Sequence, residues 1–251
     1  MCDFGRDEYH RVNDERIEGA RVGESGGPLE GALAAARAAR LAAGSETVII
    51  GSLEGTLEEM WLLKRLGDQL GGAAVAAIPD RAEGKADEFL ISADKHPNRG
   101  GAALLGILRE RSELADLLSG KKAVLIHRND LLALEGDERL RELLAAIPVR
   151  IVVAANASAT TALATHLLPG CSYLEKDGHW VNVDGRLQRV KRGHHMRLRP
   201  GAADDVKVLA GLGGEGFPET SRGAFEEKTR DTDGLSGITW AGVGSLGVRL
   251  D

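Results

Sequence analysis

Few residues in this chain have types and spacings that could carry chemistry. Cysteine occurs only at Cys2 and Cys171. Two thiols cannot build a disulfide scaffold, and alone they cannot hold an iron–sulfur cluster or a structural zinc. Cys171, within Pro169-Gly170-Cys171-Ser172, has no evident partner base and reads as a buried structural thiol. The seven histidines are scattered without an HExxH, and the adjacent His194 and His195 cannot share one face of a helix or strand. Ser112, Ser119, Ser158 and Ser172 stand in no GxSxG elbow.

GxGxxG occurs at Gly211/Gly213/Gly216 and at Gly242/Gly244/Gly247. Dinucleotide chemistry needs a strand before such a loop and a helix after it, so that the pyrophosphate meets a helix N-terminus. The first match follows a predicted helix and runs into Phe217-Pro218; the second leaves no room for a helix. No GxxxxGK[ST] is present, which removes a P-loop.

Charge narrows the partners. The chain carries 32 Lys+Arg against 38 Asp+Glu, a formal charge of −6, with 3 Trp, 2 Tyr and 4 Phe. Neither phosphate-backbone binding nor base stacking suits that composition. The exception is Arg186 to Arg199, with Arg186, Arg189, Lys191, Arg192, Arg197 and Arg199. It reads as a solvated face that offsets acidic neighbours or meets an acidic subunit, rather than as a nucleic-acid site. No apolar run reaches membrane-span length and the N-terminus lacks an apolar signal core, so the expected compartment is the cytoplasm.

The elements that must position these residues alternate. An Ala/Leu/Arg helix is predicted over Leu29 to Ala43, ended by Gly44. The β-branched run from Thr47 to Ile50 is a buried strand. Thr56, with Glu59 three residues on, predicts a capping box, and Leu57, Met60, Trp61, Leu63, Leu66 and Leu70 form the apolar stripe behind it. Further strands are predicted at Ala73–Ile78, Lys122–His127 and Val149–Ala154. Helices are predicted near Ala102–Arg111, Glu113–Leu118, Glu138–Ala146, Ser158–Ala164 and Ala202–Leu212, the last with Asp204 and Asp205 in its first turn. His179–Val183 and Arg186–Val190 read as a hairpin over a two-residue Asp184-Gly185 turn of type I′.

The fold class is therefore α/β, a doubly wound, mostly parallel sheet with an appended β-hairpin. Residues 1–28 read as a leading segment that ends an upstream region, 29–200 as the α/β domain, and 201–251 as a helix and a loosely held tail.

Three stretches together resemble one family. They are Cys2-Asp3-Phe4-Gly5-Arg6 with Asn13 and Arg16-Ile17; Asp94-Lys95-His96-Pro97-Asn98-Arg99-Gly100-Gly101; and Leu168-Pro169, Glu175-Lys176-Asp177-Gly178, then Asn182-Val183-Asp184-Gly185-Arg186-Leu187-Gln188. This order resembles the molybdopterin oxidoreductase superfamily. Within it the chain looks most like the large iron–sulfur subunit of NADH–quinone oxidoreductase (complex I), with related hydrogenase and formate dehydrogenase subunits. His179-Trp180 stand where that family has Thr-Phe.

The resemblance implies that Cys2 is the fourth ligand of a [4Fe–4S] cluster. Its other three thiolates would come from an upstream or separate chain. It implies that this chain is the C-terminal part of a longer or split protein, or else a short paralogue in which Cys2 is a relic. It implies a vestigial domain without molybdopterin, in which Asn182, Gly185 and Arg186 hold the hairpin and Arg186 can bond carboxylates across an interface. Iron–sulfur and flavin subunits of an NADH- or hydrogen-linked redox complex are the implied partners, with no catalytic residue in the chain itself. Two other readings stay open at this point: an active molybdopterin-dependent oxidoreductase subunit, and a free-standing Rossmann-like nucleotide-binding enzyme.

Overall fold

A computed structural model describes residues 12–89, 91–134, 138–193 and 201–250. Cys2, with the rest of the first motif up to Arg6, and His194, His195, Arg197 and Arg199 lie outside the described residues.

The first strands of the described residues are β1 (Ala20–Val22) and β2 (Ser25–Gly27), a small hairpin within the leading segment. Gly23 makes its tight turn possible with φ +58°. Then come α1 (Leu29–Ala43), β3 (Thr47–Ser52), α2 (Leu57–Gln69) and β4 (Ala74–Ile78), in the predicted order. Two short helices follow, α3 (Arg99–Leu104) and α4 (Leu114–Leu118). Helix α3 starts earlier and stops sooner than predicted. Gly106 turns left-handed at φ +70°, and the chain leaving it pairs with the edge of β4 through an Ala77–Leu108 bridge. Next are β5 (Ala123–His127), α5 (Glu138–Ala146), β6 (Val149–Ala154), α6 (Ala159–Ala162) and β7 (His166–Pro169).

The seven-stranded sheet has the order β2-β1-β7-β6-β5-β3-β4, and every neighbouring pair from β7 to β4 is parallel. Both faces are covered, because alternate residues of each central strand point opposite ways. Ile49, Leu125, Ile151 and Val153 face α1 and α2. Val48, Ile50, Val124, Ile126 and Val152 face Leu114, Leu118, Leu140 and Leu144 of α4 and α5. This is the doubly wound architecture.

The appended hairpin is β8 (Gly178–Val181) and β9 (Arg186–Val190), joined by a third strand, β10 (Val248–Arg249). Its turn corrects the expected type I′. Asn182 N bonds Arg186 O, Gly185 N bonds Asn182 O, and Gly185 sits at φ +72°. That is a three-residue loop with a left-handed glycine making the bulge. The Asn182 side chain favours it by accepting from the Asp184 and Arg186 amides.

The tail is a second correction. After α7 (Asp205–Gly213) it forms α8 (Ser221–Asp231), which buries Ala224, Phe225 and Lys228, and it returns to the hairpin as β10. Its apolar residues are sparse but consistently placed: Leu235 and Val243 are also buried.

Candidate functional site

Strand order reverses between β3 and β5. The chain leaves β3 for β4 on one side and then crosses back to β5 on the other. In open parallel sheets the crevice beyond the carboxyl ends at such a point is where ligands collect. Here five groups from four segments meet there.

Glu59 comes from the first turn of α2. The predicted capping box is present: Thr56 Oγ1 accepts from Glu59 N at 3.2 Å and Glu59 Oε2 accepts from Thr56 N at 2.9 Å. The other carboxylate oxygen, Oε1, accepts from Lys176 Nζ at 2.6 Å. Lys176 also donates to Asp205 Oδ2 at 2.7 Å. Asp205 opens α7. Its neighbour Asp204 caps the helix through Val206 N at 3.0 Å, so the Asp205 side chain is free to turn inward, where its Oδ1 accepts from Cys171 N at 3.0 Å. His127, the last residue of β5, places Nε2 3.5 Å from Asp205 Oδ2 and 4.0 Å from Glu59 Oε2. Arg128, left-handed at φ +55°, donates to the Cys171 carbonyl and to Asp205 Oδ2 at 3.2 Å.

Glu59, Lys176, His127 and Asp205 are all buried to within 1% of complete. Charges so placed persist only when they are paired. Burial alone would push the Asp205 carboxyl up, but Lys176, the His127 contact and Arg128 hold it well below the usual range. Burial and Arg128 depress the Lys176 ammonium, yet Asp205 and Glu59 outweigh them and raise it. Burial, then the nearby Asp205 charge, pushes the Cys171 thiol up to about 12. Cys171 is thus the inert structural thiol expected, without the thiolate that metal ligation needs.

Glu59, His127 and Asp205 have the side-chain types of a metal site. Their two carboxylates already share the Lys176 ammonium at 2.6 and 2.7 Å, so the position a cation would take holds a positive charge from the chain itself.

A second buried group adjoins the first. Glu58, next to Glu59, turns to the other side of α2, where its Oε1 lies 2.6 Å from His179 Nδ1 and its Oε2 accepts from His179 N at 2.9 Å. The His179 ring packs on Phe225 at 4.3 Å and on Trp240 at 4.8 Å. Lys228 Nζ lies 3.9 Å from Glu58. Burial lowers that ammonium to about 8 despite the opposing Glu58 charge.

The family-like stretches converge on these groups. Arg16 pairs with Glu175 at 2.8 Å, and Glu175 also accepts from Ser172 N at 2.6 Å. Asn98 donates to Gly55 O and accepts from Val181 N, both at 2.8 Å, joining the start of α2 to the hairpin. Gly178 must be glycine, since a Cβ there would lie 2.6 Å from Thr56 Cγ2.

The residues singled out from sequence are distributed differently. Asn182 and Gly185 shape the hairpin turn. Arg186 Nη1 reaches the carbonyls of Leu246 and Gly247 at 3.3 and 3.5 Å. None of the three reaches the crevice cluster. Arg189 pairs with Asp177 and stacks on Trp240, and Arg192 pairs with Asp204, so these basic residues are engaged within the chain. Gly211 and Gly213 end α7 with no strand before them, which removes the first GxGxxG as a dinucleotide loop.

Sequence reasoning missed His127, Arg128 and Lys228, and it gave Glu59 and Asp205 only helix-end duties. One signal was available. Leu57-Glu58-Glu59-Met60-Trp61-Leu62-Leu63 is apolar around the whole helix, so both carboxylates had to be buried.

No protein-family model matches the chain. No helix of the described residues is long and apolar enough to cross a membrane.

Proposed function

We propose that this chain is a supporting subunit of an NADH- or hydrogen-linked redox complex, a molybdopterin-oxidoreductase-like domain that binds no pterin and positions iron–sulfur and flavin partners. The observation that carries this reading is the filled crevice. Where a doubly wound domain offers its ligand site, Glu59, Asp205, Lys176 and Arg128 form an internal set of two negative and two positive charges. What stays open beside it is a cleft of about 200 Å³. Sites for large organic ligands run to roughly 300–1,000 Å³, and the smaller size of this cleft supports a domain that binds no pterin there.

A second support is the meeting of the three family-like stretches. Arg16, Asn98 and the segment from Glu175 to Val181 are held together by buried hydrogen bonds. The segment that leads back toward Cys2 is itself fastened to the carboxyl end of β6: Asn156 Nδ2 donates to Val12 O and Asp14 O, and Ile17 N to Ala155 O. Cys2 would complete a [4Fe–4S] cluster when three further thiolates arrive from an upstream or separate chain.

The test is purification of the tagged native protein, with metal analysis and identification of its companions. The expected result is co-purification with cysteine-rich iron–sulfur and flavin polypeptides, with iron and no molybdenum or tungsten. Stoichiometric molybdenum or tungsten with turnover by the lone chain would overturn the reading, as would isolation without any such companion.

A further inference from the structure

Helix α8 seats a cation where nothing receives it. Lys228 is fully buried, and its Nζ makes no hydrogen bond among the described residues. Glu58 stands nearest at 3.9 Å, but both of its oxygens are engaged with His179, Oε1 with the ring Nδ1 at 2.6 Å and Oε2 with the backbone N at 2.9 Å. We propose that α8 and the segment after it, Ser221 to Arg249, form a strap over α2 and the hairpin whose hold tightens when Lys228 is neutral and loosens when Lys228 takes up a proton.

Two attractions favour the charged form of Lys228. One is the Glu58 carboxylate on α2, and the other is the Phe225 ring, whose centroid lies 4.4 Å from Nζ. Against them stands the loss of water, which no hydrogen bond repairs. Burial prevails and lowers the ammonium to about 8. No other neighbour offsets it. From β8 comes His179, whose Nε2 also lacks a partner among the described residues. Arg65 of α2 is taken by Glu227 at 2.5 Å, and Arg189 of β9 by Asp177 at 3.3 Å and by the Trp240 ring. Once the strap lifts, the ammonium returns to water and to an ordinary value of about 10.4. The open form then binds more protons than the closed one, so a falling pH favours opening.

The strap is also mechanically separable, which is independent of its charge. It joins α7 through Gly214 and Gly216, left-handed at φ +88° and +84°, and Gly216 has open space around it. Its buried apolar anchors are few: Ala224, Phe225, Leu235 and Val243. Strand β10 adds only two residues of pairing with β9, and the Arg65–Glu227 pair is about one-third exposed, with side-chain values of 32% and 37%. Strands β3 and β5, by contrast, are buried along their whole length. Segments with few buried contacts open before such a core does. The Phe225 and Trp240 rings lie on His179 at 4.3 and 4.8 Å, so opening uncovers His179 and the side of the hairpin that carries it.

This inference does not rest on the redox-complex reading, and neither fails with the other. Its test is native-state amide hydrogen exchange of the full chain from about pH 6.5 to about pH 9.5, corrected for the intrinsic rate at each pH. Low urea concentrations separate local from global opening. The amides of α8 and β10 should exchange together, with an opening constant about a hundredfold or more above that of β5 and a weaker dependence on urea. That constant should fall roughly thirtyfold across the pH range, as a change from about 10.4 in the open form to about 8 in the closed form requires. Lys228→Met should keep the strap closed and erase the pH dependence. Arg230→Gln, at an exposed cation two residues on, should retain it. Exchange of α8 only together with β5, an opening constant that does not vary with pH, or a pH dependence that survives Lys228→Met would overturn the proposal.

Discussion

The crevice cluster and the hairpin's basic run are both rich in charge, and they use it in opposite ways. In the crevice, Lys176 stands between Glu59 and Asp205 with no access to water. On the hairpin, Arg192 is 37% exposed and meets Asp204 at 3.3 Å, within reach of solvent and salt. The same pairing of a cation with a carboxylate is strongly coupled to folding in the first place and nearly neutral in the second. What decides is desolvation, which the pattern of charges along the sequence does not record.

Breaking the crevice set should give the largest effect. Lys176→Met leaves the buried Glu59 without its ammonium and Asp205 with Arg128 alone, and should cost about 3–5 kcal/mol, read by urea unfolding at neutral pH. A loss under about 1 kcal/mol would place the cluster on a par with a surface pair.

Next in size are two pH responses of opposite direction. The Asp205 carboxyl is depressed in the folded state. Its contribution is therefore present above the unfolded value of about 3.9 and lost as the pH falls toward the folded one. Lys228 behaves differently from most lysines, because burial lowers it to about 8. Between that value and about 10.4 the unfolded chain binds more protons, so stability should rise with pH across this window. Unfolding curves collected from pH 3 to pH 10 should show both slopes, and Lys228→Met should flatten only the alkaline one.

A smaller effect is expected at the cap. Thr56→Ala removes the hydroxyl that accepts from Glu59 N and should cost about 1 kcal/mol by the same measurement. Arg192→Ala should change stability by no more than about 0.5 kcal/mol, which sharpens the contrast from its other end.

Much of the fold was legible from local pattern. The capping box at Thr56 and Glu59, the β-branched runs that became β3, β5 and β6, and the full span of Glu138–Ala146 follow from periodicity and punctuation. Strand β7 was hidden, because His166–Pro169 is short and is placed by parallel pairing with β6, a non-local contact. The hairpin was visible but not its loop, since the choice between a two-residue and a bulged turn fell to the Asn182 side chain. The tail was misjudged because Gly, Ser, Thr and charged residues dominate it, while its scattered apolar side chains, among them Ala224, Phe225, Leu235 and Val243, anchor it.

The candidate site was legible only in part. Glu175, Lys176 and Asn98 belong to the quoted stretches, but His127 ends an ordinary buried strand and Lys228 lies on a helix of mostly polar residues. Nothing local marks either one. They acquire meaning when Glu58 and Glu59, two neighbours on one helical turn, reach to different sides and each meets a residue far along the chain.

That arrangement bears on how the polypeptide assembles. The hydrogen bonds from Glu59 to Lys176 and from Glu58 to His179 span 117 and 121 residues, and Arg16 reaches Glu175 across 159. Loops of that length close late and slowly. Until they do, two carboxylates remain wet at the mouth of a helix whose flanks are already apolar. Their withdrawal from water therefore has to accompany the forming of these long-range contacts.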